Sequence, residues 1–283
     1  MRNITACIDG SALSGSVCDA SAWASLRLGA PLRLLHALER EAGQTDADFS
    51  GAIGLGSREH LLDSLTRQDE ARGRSAMAEG KSLLQNATLR VKAQGVTDVT
   101  VGQRHGGLTE VLQYEEKESR LFVIGRHGTQ HQGDGRFVGA QVESLVRQVH
   151  VPILMTTGAF LPPTRFMIAY DGSEVADGAI KAFAGSALLK HIPGELVMVG
   201  ADNAANQLRL SRASQALQEQ GYTLQAHLIQ GEIVPALSSF QREHGVDLKV
   251  MGAYGHSRLR ELFIGSQTTR MIRESLIPLL LLR

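Results

Sequence analysis

Short apolar runs alternate with longer segments of helical periodicity through the second half of the chain. Runs typical of strands, four apolar and one alternating, lie at 166–170, 196–199, 223–229, 248–251 and 277–282. Segments with helical spacing lie between them, at 174–189, 204–220, 233–244 and 267–275. Strands that alternate with crossover helices in this way predict an α/β domain whose parallel sheet is covered on both faces by helices.

The pattern that opens this half also opens the chain, which indicates an internal repeat. Residues 4–11 (ITACIDGS) match residues 166–173 (FMIAYDGS). Two further pairs of segments match near the ends of the two halves: 121–128 with 248–255, and 151–155 with 277–281. The repeat predicts two tandem doubly wound α/β domains, each with a five-stranded parallel sheet and helices on both faces.

The two repeats are collinear except for about 35 additional residues in the first one. We assign these residues to an insertion at about 38–75, which contains a stretch rich in glycine, aspartate and serine and a longer helix. Two adjacent prolines, Pro162 and Pro163, cannot continue a helix or a central strand, so the linker between repeats lies there. The predicted domains are therefore residues 1–157 and 165–283.

Composition and charge argue against several classes of partner. The 283 residues include 29 Lys and Arg against 29 Asp and Glu, so no net charge attracts nucleic acid or an anionic membrane surface. No apolar stretch reaches the ~20 residues of a membrane helix, and no secretory leader is visible. The two cysteines, Cys7 and Cys18, are too few for a disulfide framework. We expect a cytoplasmic protein that binds neither nucleic acid nor membranes.

One aspartate and a set of glycines are the candidate functional residues of the second repeat. Asp171 ends its first strand and Gly252 ends its fourth strand, and ligands of open parallel sheets bind beyond such strand ends. The chain then continues as Gly-x2-Gly-x9-Gly-Ser through Gly255, Gly265 and Ser266. Glycines leave backbone N–H groups free to surround phosphate oxygens, and a helix start adds partial positive charge. Asp171 offers an acceptor for a ribose hydroxyl or an adenine amine.

This glycine motif, with the strand-ending Asp171 and the closing Ile-Pro-Leu strand, resembles the ATP-binding class of the universal stress protein family. The resemblance covers both repeats. It implies a fold like that of the adenine nucleotide alpha-hydrolases and ATP as the ligand, with or without Mg²⁺. It also implies that Asp171 contacts the adenosine and that Val199 lines the adenine slot. The residues that it places around the nucleotide, its ribose and its phosphates are Met251, Gly252, Gly255, Gly265, Ser266 and Gln267.

The first repeat departs from the motif. Ten residues instead of nine separate Gly128 from Gly139, and Ala140 stands where the motif has serine or threonine, so a hydroxyl is missing. Asp9 and Gly125 are retained, and together with Gly128 and Gly139 they form a candidate second nucleotide site. The alternatives are a structural or regulatory repeat and a repeat that binds another ligand.

Simpler interpretations exist for several of the residues singled out. Asp171 can cap the turn that follows it, because Asp-Gly-Ser after a strand is common turn chemistry. His127 and His131 have a spacing compatible with a metal, but nothing nearby supplies a third ligand, so we expect no metal site. Cys7 lies in a buried strand pattern and is expected to be a core residue rather than a nucleophile.

The predicted function is that of a nucleotide-dependent stress-response or signalling module. We expect no enzyme activity beyond slow ATP hydrolysis, because no catalytic base or nucleophile elbow emerges from the sequence. The alternatives are a nucleotide alpha-hydrolase-like enzyme and a scaffold protein without a ligand. Members of the resembled family with a single repeat dimerise through their last strands, which implies that 151–155 contacts 277–282 within this chain. We expect a pseudo-twofold monomer that can form a homodimer.

Overall fold

The computed structural model describes residues 2–38, 55–126, 140–252 and 266–283. The strands and α-helices of the first half are β1 (Asn3–Cys7), α1 (Ser14–Leu28), β2 (Leu32–Leu38), α2 (Leu55–Ala93), β3 (Val99–His105), α3 (Leu108–Glu115), β4 (Ser119–Gly125), α4 (Ala140–Gln148) and β5 (Ile153–Thr156). Those of the second half are β6 (Phe166–Tyr170), α5 (Glu174–Ala184), β7 (Gly194–Val199), α6 (Ala204–Glu219), β8 (Leu224–Ile229), α7 (Ile233–Glu243), β9 (Leu248–Gly252), α8 (Ser266–Glu274) and β10 (Leu279–Leu282).

The strands of the described ranges form one sheet in the order β3-β2-β1-β4-β5-β10-β9-β6-β7-β8. Neighbouring strands are parallel within each half, as predicted. At the centre β5 and β10 pair antiparallel, with Ile153 opposite Leu281 and Met155 opposite Leu279. The predicted contact between the two closing strands is therefore confirmed, and the carboxyl ends of the strands point in opposite directions in the two halves.

Apolar layers cover both faces of this sheet. One layer includes buried side chains of α1, α2, α5 and α6, and the other includes buried side chains of α3, α4, α7 and α8. Alternate strand residues enter the two layers, for instance Val123 and Ile124 of β4. Helices therefore lie on both faces of the sheet, as the continuous apolar strands predicted.

The additional residues of the first half lengthen its second helix. α2 spans 39 residues, whereas α6, at the corresponding place in the second half, spans 16. The longer helix predicted from the sequence is confirmed, while residues 39–54 of the predicted insertion lie outside the described ranges. Despite this length, neither α2 nor any other helix of the described ranges has the sustained apolar stretch needed to span a membrane.

Most boundaries predicted for the second half lie within two residues of the observed ones, and the largest difference is at the end of α5. The periodicity predicted a helix from 174 to 189, but α5 ends at Ala184. The hydroxyl of Tyr222 donates to the carbonyl oxygen of Ser186 at 2.7 Å and lies 3.2 Å from that of Phe183. The carbonyl oxygen of Phe183 also accepts the backbone N–H of Ser186 at 2.8 Å, so a local turn and a distant residue together satisfy the carbonyl groups where the chain leaves the helix.

The linker between the halves is attached at both ends. Phe160 is buried and its ring centroid lies 5.6 Å from that of Trp23 in α1. The carboxylate of Asp247, just before β9, accepts hydrogen bonds from the backbone N–H groups of Thr164 and Arg165 at 2.8 and 3.0 Å. These contacts hold the linker against both halves, and the exact domain limits, 1–157 and 165–283, remain predictions.

Candidate functional site

Asp171 follows β6 directly and shapes the turn that leads into α5. Its Oδ1 accepts hydrogen bonds from the backbone N–H and the hydroxyl of Ser173, at 2.9 and 2.7 Å. Gly172 supplies the positive φ of 72° that the turn requires, and Ser173 caps α5 by accepting the N–H of Ala176. Asp171 is exposed, and its Oδ2 bonds to no residue that the structure describes. The turn therefore uses one carboxylate oxygen and leaves the other available to a ligand.

The strand order places Asp171 beside Gly252. β6 pairs with β7 on one side and with β9 on the other, where Ala169 lies opposite Met251. The winding of the chain therefore reverses between β6 and β9, and such a reversal opens a crevice at the carboxyl ends of the two strands. A Cβ added to Gly252 would meet no described atom within 4 Å. This side of the crevice is open.

Val199 and Met251 flank the crevice in different ways. Val199 ends β7, on the far side of β6, and is half-buried. The loop after it is braced by the side-chain amide of Asn206, which donates to the carbonyl oxygen of Ala201 at 2.9 Å. Met251 has its side chain buried in an apolar layer, so its backbone is the part that can meet a ligand in the crevice.

The start of α8 lies at the same edge of the sheet. α8 begins at Ser266 and connects β9 to the parallel strand β10, so its first turn lies where β9 ends. Gln267 is exposed in that first turn. Gly255 and Gly265 lie outside the described residues. The structure thus brings the strand-end residues and the helix start to one edge, and the contacts predicted for them with a nucleotide remain predictions.

The opposite end of α8 is held by the first half of the chain. Arg126 immediately follows Gly125 at the end of β4 and is 4% exposed. Its guanidinium donates to the carbonyl oxygens of Arg273 and Ser275, where α8 ends. A cation in this position satisfies terminal carbonyl groups and complements the helix dipole. Burial lowers the pKa of Arg126, although a guanidinium stays charged at neutral pH.

Replacing Arg126 with Met is expected to lower the free energy of unfolding by about 2 kcal/mol, because buried carbonyl groups lose a charged donor. Urea denaturation at pH 7 measures this change, with Arg212→Met at an exposed position of α6 as the control. If Arg126→Met unfolds at the same urea concentration as the unchanged protein, Arg126 does not anchor α8.

The first half contains a similar turn at Asp9. Its Oδ1 accepts the backbone N–H of Ser11 at 2.9 Å, and Gly10 has a φ of 77°. Gly125 ends β4, which pairs with β1, so Asp9 and Gly125 also lie beside a reversal of winding. The remaining two residues of the candidate second site lie outside the described ranges: Gly128 and Gly139. The second site remains a prediction.

Arg209 of α6 lies beside the crevice, although the sequence motif does not identify it. Its Cδ is 3.1 Å from the position that a Cβ on Gly172 would take. Burial raises the pKa of Tyr170, its hydrogen bond to Asp177 raises it further, and Asp171 and Arg209 add smaller opposing effects. Arg209 is therefore an additional candidate for contact with an anionic group. The sequence does not reveal this position, because only the packing of α6 brings Arg209 to the crevice.

Neither cysteine is placed for catalysis. Cys7 and Cys18 are buried free thiols, and burial raises the pKa of both, that of Cys18 to about 11. A thiol in this state is not a nucleophile at neutral pH, which agrees with the prediction that Cys7 is a core residue. No group of His, Cys, Asp and Glu side chains in the described residues could hold a metal ion. His127 and His131 lie outside those residues.

Comparison with known proteins matches both halves to one family. The model of the universal stress protein family matches residues 1–157 and again residues 163–283. A universal stress protein from Synechocystis sp. is 31% identical over 287 residues, which cover 100% of each chain. A universal stress protein structure from Archaeoglobus fulgidus has a TM-score of 0.70 at 15% identity, covering 99% of this chain and 95% of that one. A functionally unknown protein from Pseudomonas aeruginosa has a TM-score of 0.62 at 14% identity, covering 100% and 92%. Both solved structures share the fold.

Proposed function

The chain belongs to the universal stress protein family, with one domain of that family in each half, and we propose that its second domain binds ATP. The nucleotide serves a stress-response or signalling role, and its hydrolysis is slow or absent. The protein acts in the cytoplasm, a reducing compartment in which the buried thiols of Cys7 and Cys18 stay free.

The observation that carries this proposal is the crevice at the carboxyl ends of β6 and β9. There Asp171 has one carboxylate oxygen available, Gly252 presents bare backbone to open space, and α8 begins at the same edge. A ribose hydroxyl can donate to Asp171, and the partial positive charge at the start of α8 favours phosphate. Val199 supplies an apolar surface for the adenine ring. ATP binds with or without Mg²⁺.

Slow or absent hydrolysis follows from the groups that the motif supplies. The motif offers backbone N–H groups, the hydroxyl of Ser266 and the carboxylate of Asp171, but it contains no further residue of a type that commonly acts as a general base. Rapid turnover of ATP to AMP and pyrophosphate would favour the alternative of an alpha-hydrolase-like enzyme. A protein indifferent to ATP, AMP and cyclic AMP would favour a scaffold without a ligand.

Replacing Gly265 with Val is expected to abolish ATP binding, because a branched side chain blocks the backbone N–H groups that would surround the phosphates. Isothermal titration calorimetry with ATP measures this loss, and mass spectrometry of the purified protein detects carried-over nucleotide. Gly139→Val, at the corresponding position of the first repeat, is the matched control and should leave ATP binding by the second domain unchanged. Normal ATP binding by the Gly265→Val variant would refute the site assignment.

We further propose that the protein is a monomer with pseudo-twofold symmetry when it forms no homodimer. β5 and β10 already pair with each other, so the strand edges through which single-repeat members are expected to dimerise are occupied within one chain. A homodimer must use another surface. Native mass spectrometry distinguishes the forms, because a mass near 30.5 kDa corresponds to the monomer.

A further inference from the structure

A cavity of about 320 Å³ lies at the junction of the two halves. The first half contributes the end of α1, the start of β4 and Pro152 just before β5, and the second half contributes the end of α5, the segment after it and β10. Cavities that bind small molecules have volumes of roughly 300–1,000 Å³, so this one has the size of a ligand site. Because both halves form its walls, the cavity depends on the pairing of β5 with β10.

The lining of this cavity combines apolar walls with cations. Leucine, alanine and phenylalanine side chains form most of the lining, its charged side chains are Arg120 and Arg283, and no carboxylate side chain lines it. The side chain of Arg120 forms no hydrogen bond or ion pair with any residue in the part of the chain that the structure describes. A guanidinium beside apolar walls, with no carboxylate side chain in the lining to pair with it, favours an anionic partner.

Hydrogen bonds across the junction hold the walls in place. Arg27, at the end of α1, donates to the carbonyl oxygens of Leu188 and Lys190 in the segment after α5. Tyr222 holds the same segment from the other side, through its hydrogen bond to the carbonyl oxygen of Ser186. A cavity whose walls are fixed before binding avoids the entropic cost of ordering them around a ligand.

We propose that this cavity is a second ligand site, which binds a small monocarboxylate with an apolar body. The carboxylate pairs with the guanidinium of Arg120, because the two oxygens of a carboxylate match the donor geometry of a guanidinium. The apolar body lies against Phe183 and Leu280. The cavity shares no lining residue with the residues assigned to the nucleotide crevice, so the two proposals stand independently.

Octanoate is a suitable probe, with octan-1-ol as the uncharged molecule of the same chain length. Isothermal titration calorimetry on the full chain should show one octanoate per chain, bound about tenfold or more tightly than octan-1-ol, because only octanoate forms the charge-assisted hydrogen bonds. Equal affinities for the two molecules, or no octanoate binding, would overturn the proposal.

Variants of the lining locate the ligand. Arg120→Gln should weaken octanoate binding about tenfold and leave octan-1-ol binding unchanged, whereas Arg212→Gln, at an exposed position of α6, should change neither. Ala182→Trp, at an exposed lining position of α5 where folding tolerates a large side chain, should block both molecules. Thermal unfolding checks that each variant folds. If Arg120→Gln and Ala182→Trp bind octanoate as tightly as the unchanged protein, the ligand binds elsewhere and the proposal is wrong.

Discussion

Replacing Lys249 with Met is expected to raise the free energy of unfolding by about 3 kcal/mol at pH 7. Lys249 lies on β9, is 1% exposed, and its ammonium has no hydrogen bond or ion pair to the described residues. Burial lowers the pKa of this ammonium from 10.5 to about 8, so the folded protein holds an uncompensated charge at neutral pH. Met has a similar length without the charge, and its burial avoids the desolvation penalty.

Because Lys249 is buried, its effect on the free energy of unfolding depends on pH, and the destabilisation decreases as the pH rises. The folded pKa of about 8 is lower than the unfolded value of 10.5, so the unfolded chain binds more protons between these two values. The destabilisation by Lys249 is therefore fully present below about pH 8 and is relieved as the pH rises to 10.5. The stabilisation gained in Lys249→Met should be largest near pH 7 and small near pH 10.

Urea denaturation at pH 7 and at pH 10 measures both effects, with Lys181→Met at an exposed position of α5 as the control. The repeat shows that an apolar side chain is accommodated there, because Phe122 occupies the corresponding position of the first half and is 0% exposed. A Lys249→Met variant that is less stable than the unchanged protein at pH 7 would contradict the prediction, since the charge would then have a compensating partner.

Replacing Phe166 with Ala is expected to lower the free energy of unfolding by about 3–5 kcal/mol. Phe166 begins β6, is 0% exposed, and makes edge contacts with the rings of Phe183 and Tyr222, at centroid distances of 6.5 and 6.3 Å. Truncation removes these contacts and leaves a cavity between the sheet and α5. Phe166→Leu retains most of the volume and should lose about 1 kcal/mol. Urea denaturation distinguishes the two variants, and equal losses would contradict the cavity argument.

Gly194 lies opposite Phe166 on β7, and the aromatic ring explains why a glycine stands there. A Cβ on Gly194 would lie 2.3 Å from Cζ of Phe166. Gly194→Ala should therefore lower the free energy of unfolding by about 2 kcal/mol through overpacking when Phe166 is present. The loss should be much smaller when Gly194→Ala is combined with Phe166→Leu. The two single variants and the double variant form a double-mutant cycle, and strict additivity of their effects would show that the contact is absent.

The elements of the second half follow from the sequence in the right order, because strand and helix periodicities are local properties of the chain. The end of α5 could not be predicted in this way. The hydroxyl of Tyr222 donates to the carbonyl oxygen of Ser186, just after that end, and the two residues lie 36 positions apart in the chain. Local periodicity gives the extent of a possible helix, whereas contacts with distant residues such as Tyr222 contribute to where the helix stops.

Some residues of the candidate site can likewise be identified from the sequence, and others only from the structure. Asp171 and Gly252 can be found from the sequence because each ends an apolar strand, and the doubly wound pattern places those strand ends together. Arg126 and Arg209 cannot be found in the same way. The guanidinium of Arg126 bonds to Ser275, 149 residues away, and Arg209 reaches the crevice only because α6 packs beside the turn after β6.

The sequence by itself determined that this protein has two α/β domains of the same family and where the glycine motif of the second domain lies. Only the tertiary structure decided the register in which β5 meets β10, the burial of Lys249 where the first half has Phe122, and the cavity beside Arg120. The physical reason is that periodicity encodes which segments form elements and which of their faces are apolar. The pairing of those faces, the burial of particular charges and the position of cavities depend on packing between residues far apart in the chain. No local pattern specifies that packing.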